Sequence, residues 1–156
     1  MKRYYLAYGS NLNVEQMRFR CPTARVIGTA VIEDYELLFK GSGTGSYLTI
    51  EPKQGASVPV GVWEVEERDE ASLDRYEGYP SFYYKKDLKV KVTEFNTGRE
   101  CIMDTFVYIM HEDRSIGMPT RMYMRTCLDG YKAFGFDEAF LMEAYEKSRR
   151  ELGYED

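Results

Sequence analysis

The stretch YYLAYGSNLN, Tyr4 to Asn13, carries an apolar, aromatic strand directly into Gly-Ser-Asn and then into a helix start. Branched and aromatic residues favour extended backbone, whereas Gly, Ser and Asn favour turns. Two readings of the tripeptide stand: it only turns the chain into the next helix, or its backbone amides are placed to hold something.

Outward from this junction, the first two thirds of the chain read as strands. After RYYLAY (3–8) come ARVIGTAVI (24–32), YELLFK (35–40), YLTIEP (47–52) and VPVGVWEVE (58–66), several separated by Gly- or Pro-bearing turns. FYYKKDLKVKVTEF (82–95) and ECIMDTFVYIM (100–110) flank Asn96-Thr97-Gly98-Arg99, a hairpin connection. That makes six or seven strands.

Helices are fewer and carry their own start and stop signals. Asn13 precedes VEQMRFR, with Gln16 three residues on as a capping-box variant and Pro22 limiting the helix. In EERDEASLDRYEG, Asp69 is the candidate N-cap and Gly78 the residue that ends the helix, with Pro80 barring continuation. The last third reads as a helix over TRMYMRTCLDGYKAFG, broken at Gly135, then a second helix capped by Asp137. GSGTGS (41–46) is a flexible turn by composition. This order lacks the strict strand-helix alternation of a doubly wound sheet. It predicts an α+β fold in one domain over residues 1–156, with a mixed, mostly antiparallel sheet, open or curled into a small barrel, and helices packed around it.

With 156 residues, 44% apolar and 15% aromatic, the chain can build a substantial core. A net charge of −5 argues against nucleic acid or an anionic membrane as the main partner, because both need clustered Lys and Arg. No apolar run approaches the roughly 20 residues that span a bilayer, and the start of the chain lacks a signal-peptide pattern, so the cytoplasm is the expected location. Cys21, Cys101 and Cys127 have no C-x-x-C spacing and fit reduced thiols. With His111 as the single histidine, no metal site is expected.

One carboxylate stands out. Leu73, Tyr76 and Glu77 fall at i, i+3 and i+4, which puts Glu77 on a helix face with two residues expected to turn inward. It also sits at the helix C-terminus, where the macrodipole disfavours negative charge. Burial and dipole both push its pKa upward, toward the range of a base working near neutral pH. The alternative is that Glu77 frays outward into solvent. Gly78-Tyr79-Pro80 then allows a sharp reversal, and Phe82-Tyr83-Tyr84 brings aromatic rings and hydroxyl donors back toward the same region.

At these residues the sequence resembles the γ-glutamylcyclotransferase, AIG2-like family. The likeness rests on YGSNL (8–12), on LDRYEGYPSFYY (73–84), similar to the family's L-D-x-x-E-G helix end followed by Pro and Tyr, and more weakly on PTRMYMRTCLDGYKAFGF near the C-terminus, where Pro119-Thr120 stands for the family's Pro-Ser. The resemblance implies a mixed β-barrel ringed by helices and a cavity between the YGSN loop and the glutamate. It implies a reaction in which the α-amine of a γ-glutamyl compound attacks its own γ-carbonyl, leaving 5-oxoproline and a free amine or amino acid, with no cofactor. By motif position, Glu77 is the catalytic acid and base, and Tyr8, Gly9, Ser10, Asn11 and Leu12 form the substrate loop. A small γ-glutamyl molecule is the implied partner.

That chemistry suits the residues. One carboxylate can take a proton from the attacking amine and return it to the departing one, while backbone amides at a strand-to-helix junction can hold an oxyanion or a carboxylate. Ser10 lacks a G-x-S-x-G setting and reads better as a donor than as a nucleophile. Tyr83 and Tyr84 alternate faces in a strand, so one of them faces the cavity, with Tyr83 favoured. Tyr123 matches the C-terminal motif and either lines the pocket or packs in the core.

Overall fold

β1 (Arg3–Ala7) is the strand on which the sheet closes. It pairs antiparallel with the end of β3 (Tyr47–Val65), Ala7 opposite Gly61, and parallel with β5 (Glu100–Met110) through Tyr5 and Phe106. β5 pairs antiparallel with β4 (Tyr83–Glu94), β4 with β2 (Arg25–Gly41) at Gly28 and Thr29, and β2 with β3, so five strands return to their starting point as a closed barrel. Closure leaves no open edge along the ring. A two-residue strand, β6 (Ser115–Ile116), adds to β2 at Lys40 and Gly41. The computed structural model describes residues 2–42 and 45–154, so Gly43 and Thr44 of the expected GSGTGS turn lie outside the described residues.

The mixed, mostly antiparallel barrel matches the expected fold class, with one change of detail. The segments expected as four separate strands over 24–66 form two long ones, β2 and β3. Asp34 adopts a left-handed conformation (φ 62°) at a register shift between Glu33 and Tyr35, and its carboxylate accepts from the Gly55 amide at 2.9 Å. The irregularity bends the pair instead of ending it. Pro52 and Pro59 are tolerated because β1 reaches β3 only from Gly61 onward, leaving that stretch with one neighbour, β2.

The helices follow their sequence signals closely. In α1 (Val14–Arg20), the Asn13 side chain accepts from the Gln16 amide at 3.1 Å, although Gln16 does not complete a capping box and instead reaches Thr126. α2 (Glu67–Glu77) starts three residues earlier than Asp69 suggested: Glu66 is the N-cap, and the Asp69 carboxylate accepts from the Glu66 amide at 2.9 Å as the distal half of a capping box. Gly78 ends α2 in the left-handed region (φ 63°), a conformation that a side chain disfavours. α3 (Arg121–Phe134) is capped by Thr120 and ended by Gly135; α4 (Ala139–Glu151) has Glu138 rather than the expected Asp137 at its N-cap position, while the Asp137 carboxylate accepts from the Ala139 amide at 2.9 Å.

The core runs through the barrel and under α3. Leu6, Phe39, Ile50, Val62 and Phe106 are fully buried, each contributing roughly 1.5–3 kcal/mol by leaving water. Gly130 of α3 lies against Leu12, where a Cβ would come within 2.7 Å of the Leu12 backbone. This close approach seats α3 directly on the turn that follows β1. No helix among the described residues is long and apolar enough to cross a membrane.

Candidate active site

Between the turn after β1 and the end of α2 lies a cavity of about 350 Å³. Gly9, Ser10 and Asn11 line one side and Glu77 another, with the rings of Tyr5, Tyr8, Tyr83 and Tyr108 as buried walls. Its size falls at the lower end of the range for small-molecule sites.

The turn is a single 3-10 helix over Ser10–Leu12, closed by hydrogen bonds from Leu12 to Gly9 and from Asn13 to Ser10, both 3.0 Å. The amides of Gly9, Ser10 and Asn11 precede these bonds and have no protein acceptor among the described residues. Side chains hold the turn in place. Asn11, 2% exposed, donates to the Tyr5 hydroxyl at 2.8 Å and accepts from the Arg20 guanidinium. Ser10 and Tyr76 hydroxyls are 2.9 Å apart, and Tyr131 donates to the Tyr8 carbonyl at 3.2 Å.

Glu77 is the last residue of α2 and its side chain turns into the cavity rather than fraying outward. It has no hydrogen bond or ion pair among the described residues. The surrounding protein pushes its carboxyl up from 4.5 to about 8, and the charge of Arg20 opposes that rise. The residue as a whole is partly exposed because the cavity is open, while the body of the carboxyl is packed among the tyrosine rings. Burial, with Glu77 as the next cause, raises the hydroxyl pKa of Tyr5 and Tyr8, so both are neutral hydrogen-bond donors at physiological pH.

Of the residues expected from sequence, Tyr8, Gly9, Ser10, Asn11, Glu77, Tyr83 and Tyr123 line the cavity. Leu12 does not: it is fully buried in the core, where its side chain anchors the turn from beneath. Tyr84 also faces elsewhere, toward His111 and Glu112, because adjacent residues of β4 point to opposite sides. Tyr83 donates to the Leu48 carbonyl at 2.8 Å, and Tyr123 receives the Leu48 amide at 3.1 Å. Tyr76, expected inward with Leu73, is 43% exposed, yet its hydroxyl still reaches the turn. Tyr5, Arg20 and Tyr108 belong to the site or its support without having been singled out for it. Arg20 shares its helix with Arg18, and nothing in their spacing separates a site cation from a solvated one. No group of three or more His, Cys, Asp or Glu among the described residues is placed to hold a metal ion.

A profile of the family described as "Gamma-glutamyl cyclotransferase, AIG2-like" matches residues 5–125, which include the turn, Glu77 and Tyr123. The chain belongs to this family. Within it, the chain is 31% identical over 139 residues to the Homo sapiens protein named gamma-glutamylcyclotransferase, covering 84% of this chain and 71% of that one. The Mus musculus protein of the same name is 28% identical over 144 residues, covering 87% and 73%. A solved structure titled "Gamma-glutamyl cyclotransferase" superposes with a TM-score of 0.73 at 28% identity, over 96% of this chain and 87% of that one. The fold of that structure is therefore shared over nearly the whole chain.

Proposed function

We propose that this γ-glutamylcyclotransferase family member is the enzyme its relatives are named for, and that Glu77 moves the proton. The substrate is a γ-glutamyl amine or γ-glutamyl amino acid. Its α-nitrogen forms a bond to the γ-carbonyl carbon while the bond from that carbon to the departing nitrogen breaks. Products are 5-oxoproline and a free amine or amino acid, with no water consumed.

The observation that carries this reading is the unpaired Glu77 carboxylate lining the same cavity as the free amides of Gly9, Ser10 and Asn11. The α-ammonium must lose a proton before it can attack, and the departing nitrogen must gain one. A carboxyl titrating near 8 is matched to both transfers at neutral pH. The amides and the Ser10 hydroxyl are donors for the α-carboxylate and for the oxyanion of the tetrahedral intermediate. Tyr5, Tyr8, Tyr83 and Tyr123 shape the walls so that the glutamyl chain folds back on itself, which is the main geometric demand of an intramolecular attack. The cytoplasm is the proposed compartment, in keeping with Cys21, Cys101 and Cys127 standing as free thiols.

The test is incubation with a panel of γ-glutamyl amines and amino acids, with products read by mass. 5-Oxoproline is the expected product. Glutamate in its place would indicate hydrolysis, and no turnover on any member would leave only a binding module.

A further inference from the structure

The cavity has lining residues that the glutamyl chemistry does not use. Beside the buried tyrosines its lining includes Tyr47, 45% exposed, half-buried Phe82 and the exposed Arg75. Tyr47 meets Phe82 edge to face (centroids 6.2 Å, 89°) and Tyr123 likewise (5.2 Å, 84°), so the mouth is framed by rings in a fixed arrangement. Rings packed this way present faces and edges on which another flat ring can stack.

One cation stands at the mouth. Arg75 bonds to the Ser72 hydroxyl of its own helix at 3.2 Å and forms no ion pair among the described residues. Its acidic neighbour Asp74 is occupied elsewhere, by Lys85 at 2.9 Å and by the Tyr108 hydroxyl at 2.6 Å. Arg75 is the one cation lining the cavity among the described residues. Glu77 is the one acidic residue lining the cavity. The inner, buried part suits the glutamyl half common to all substrates, so a departing group of variable size must extend toward this mouth.

We propose that the mouth selects the departing group, and that the preferred substrates are γ-glutamyl dipeptides whose departing amino acid has an aromatic side chain: Tyr47 and Phe82 receive the ring, and Arg75 pairs with the carboxylate. The inference rests on the cyclotransferase reading. Departing amines with a positive charge are disfavoured, since they would meet the Arg75 guanidinium. A carboxylate meets a guanidinium whose planar donors match it in pairs.

Three probes separate the contributions: γ-glutamyl-L-phenylalanine, γ-glutamyl-phenethylamine, which lacks only the carboxylate, and γ-glutamyl-L-alanine, which lacks only the ring. For the natural chain, kcat/KM for 5-oxoproline formation from the phenylalanine dipeptide should exceed each of the others by roughly 10-fold, the scale of one charge-assisted hydrogen bond or one filled aromatic subsite. Arg75→Gln should collapse the ratio between the phenylalanine dipeptide and the phenethylamine compound. Tyr47→Ala should collapse the ratio between the phenylalanine and alanine dipeptides. Equal kcat/KM for all three, with 5-oxoproline formed from each, overturns the selectivity and leaves the cyclotransferase reading standing. No 5-oxoproline from any probe overturns both.

Discussion

The Arg20 guanidinium lies 3.5 Å from the centroid of the Tyr76 ring while one of its nitrogens donates to Asn11. One side chain from α1 therefore grips both the turn that supplies backbone amides and the residue just before Glu77. Its charge also holds the Glu77 carboxyl lower than burial alone would. Arg20 is best understood as a positioning residue, with an electrostatic influence on the proton carrier.

Replacing it with methionine keeps bulk over Tyr76 and removes the charge and the Asn11 hydrogen bond. The acidic limb of kcat/KM, which follows loss of the Glu77 proton near pH 8, should then move to higher pH, because a cation that favours the carboxylate is gone. The other ionisable groups facing Glu77 are Tyr5 and Tyr8 from β1 and its turn, Tyr76 from α2, Tyr83 from β4 and Tyr108 from β5, all raised above the tyrosine range by burial. The limb therefore belongs to Glu77. A pH–rate profile checks this, and an unshifted limb in Arg20→Met contradicts it.

Stability should carry the same signature. The folded protein holds the Glu77 proton up to about pH 8, whereas the unfolded chain releases it near 4.5. Stability therefore falls as pH rises from about 4.5 to about 8, and levels off above. Glu77→Gln removes this slope. Urea unfolding should find the variant no more stable than the natural chain at pH 5, and more stable at pH 9 by on the order of 2–4 kcal/mol, solvent in the cavity reducing the full value. Equal differences at both pH values would count against a buried, proton-holding Glu77.

Tyr83 and Tyr84 should separate cleanly. Tyr83→Phe removes a buried hydrogen bond to Leu48 beside the cavity, so it should cost about 1 kcal/mol of stability and also lower turnover. Tyr84→Phe loses its bond to Glu112, outside the cavity, and should leave kcat/KM within about twofold. Steady-state kinetics on the pair, with thermal melts, decides whether the assigned faces are right.

Gly130 tests how the turn is supported. An added methyl must displace the Leu12 backbone or the helix, so Gly130→Ala should destabilise the protein by about 1–3 kcal/mol, despite alanine's better helix propensity. A gain in melting temperature would show that α3 does not press on the turn.

Much of this was readable in the sequence because the deciding signals are local. Asn13, Gly78 and Gly135 act on their own helices, and the structure keeps each where its chemistry places it. Glu77 was legible because a carboxylate on an apolar helix face conflicts with its surroundings. What stayed hidden depends on contacts distant in sequence. The continuity of β2 and β3 depends on an Asp34 bulge whose partner is Gly55, 21 residues away. Capping by Glu66 was missed because the reciprocal Asp69 is itself a good cap. Arg20 and Tyr5 become part of the site through Asn11, and Tyr108 through barrel closure, none of which leaves a mark in spacing.

The central claim is that Glu77 carries the proton in the cyclisation. The direct measurement is the rate of 5-oxoproline formation by Glu77→Gln against the natural chain, on a γ-glutamyl substrate that the natural chain turns over, with binding followed separately by titration. Turnover should fall by at least roughly 100-fold while the substrate still binds, since glutamine keeps the shape and polarity but cannot shuttle a proton. A Glu77→Gln protein that makes 5-oxoproline at a rate near that of the natural chain would contradict the account.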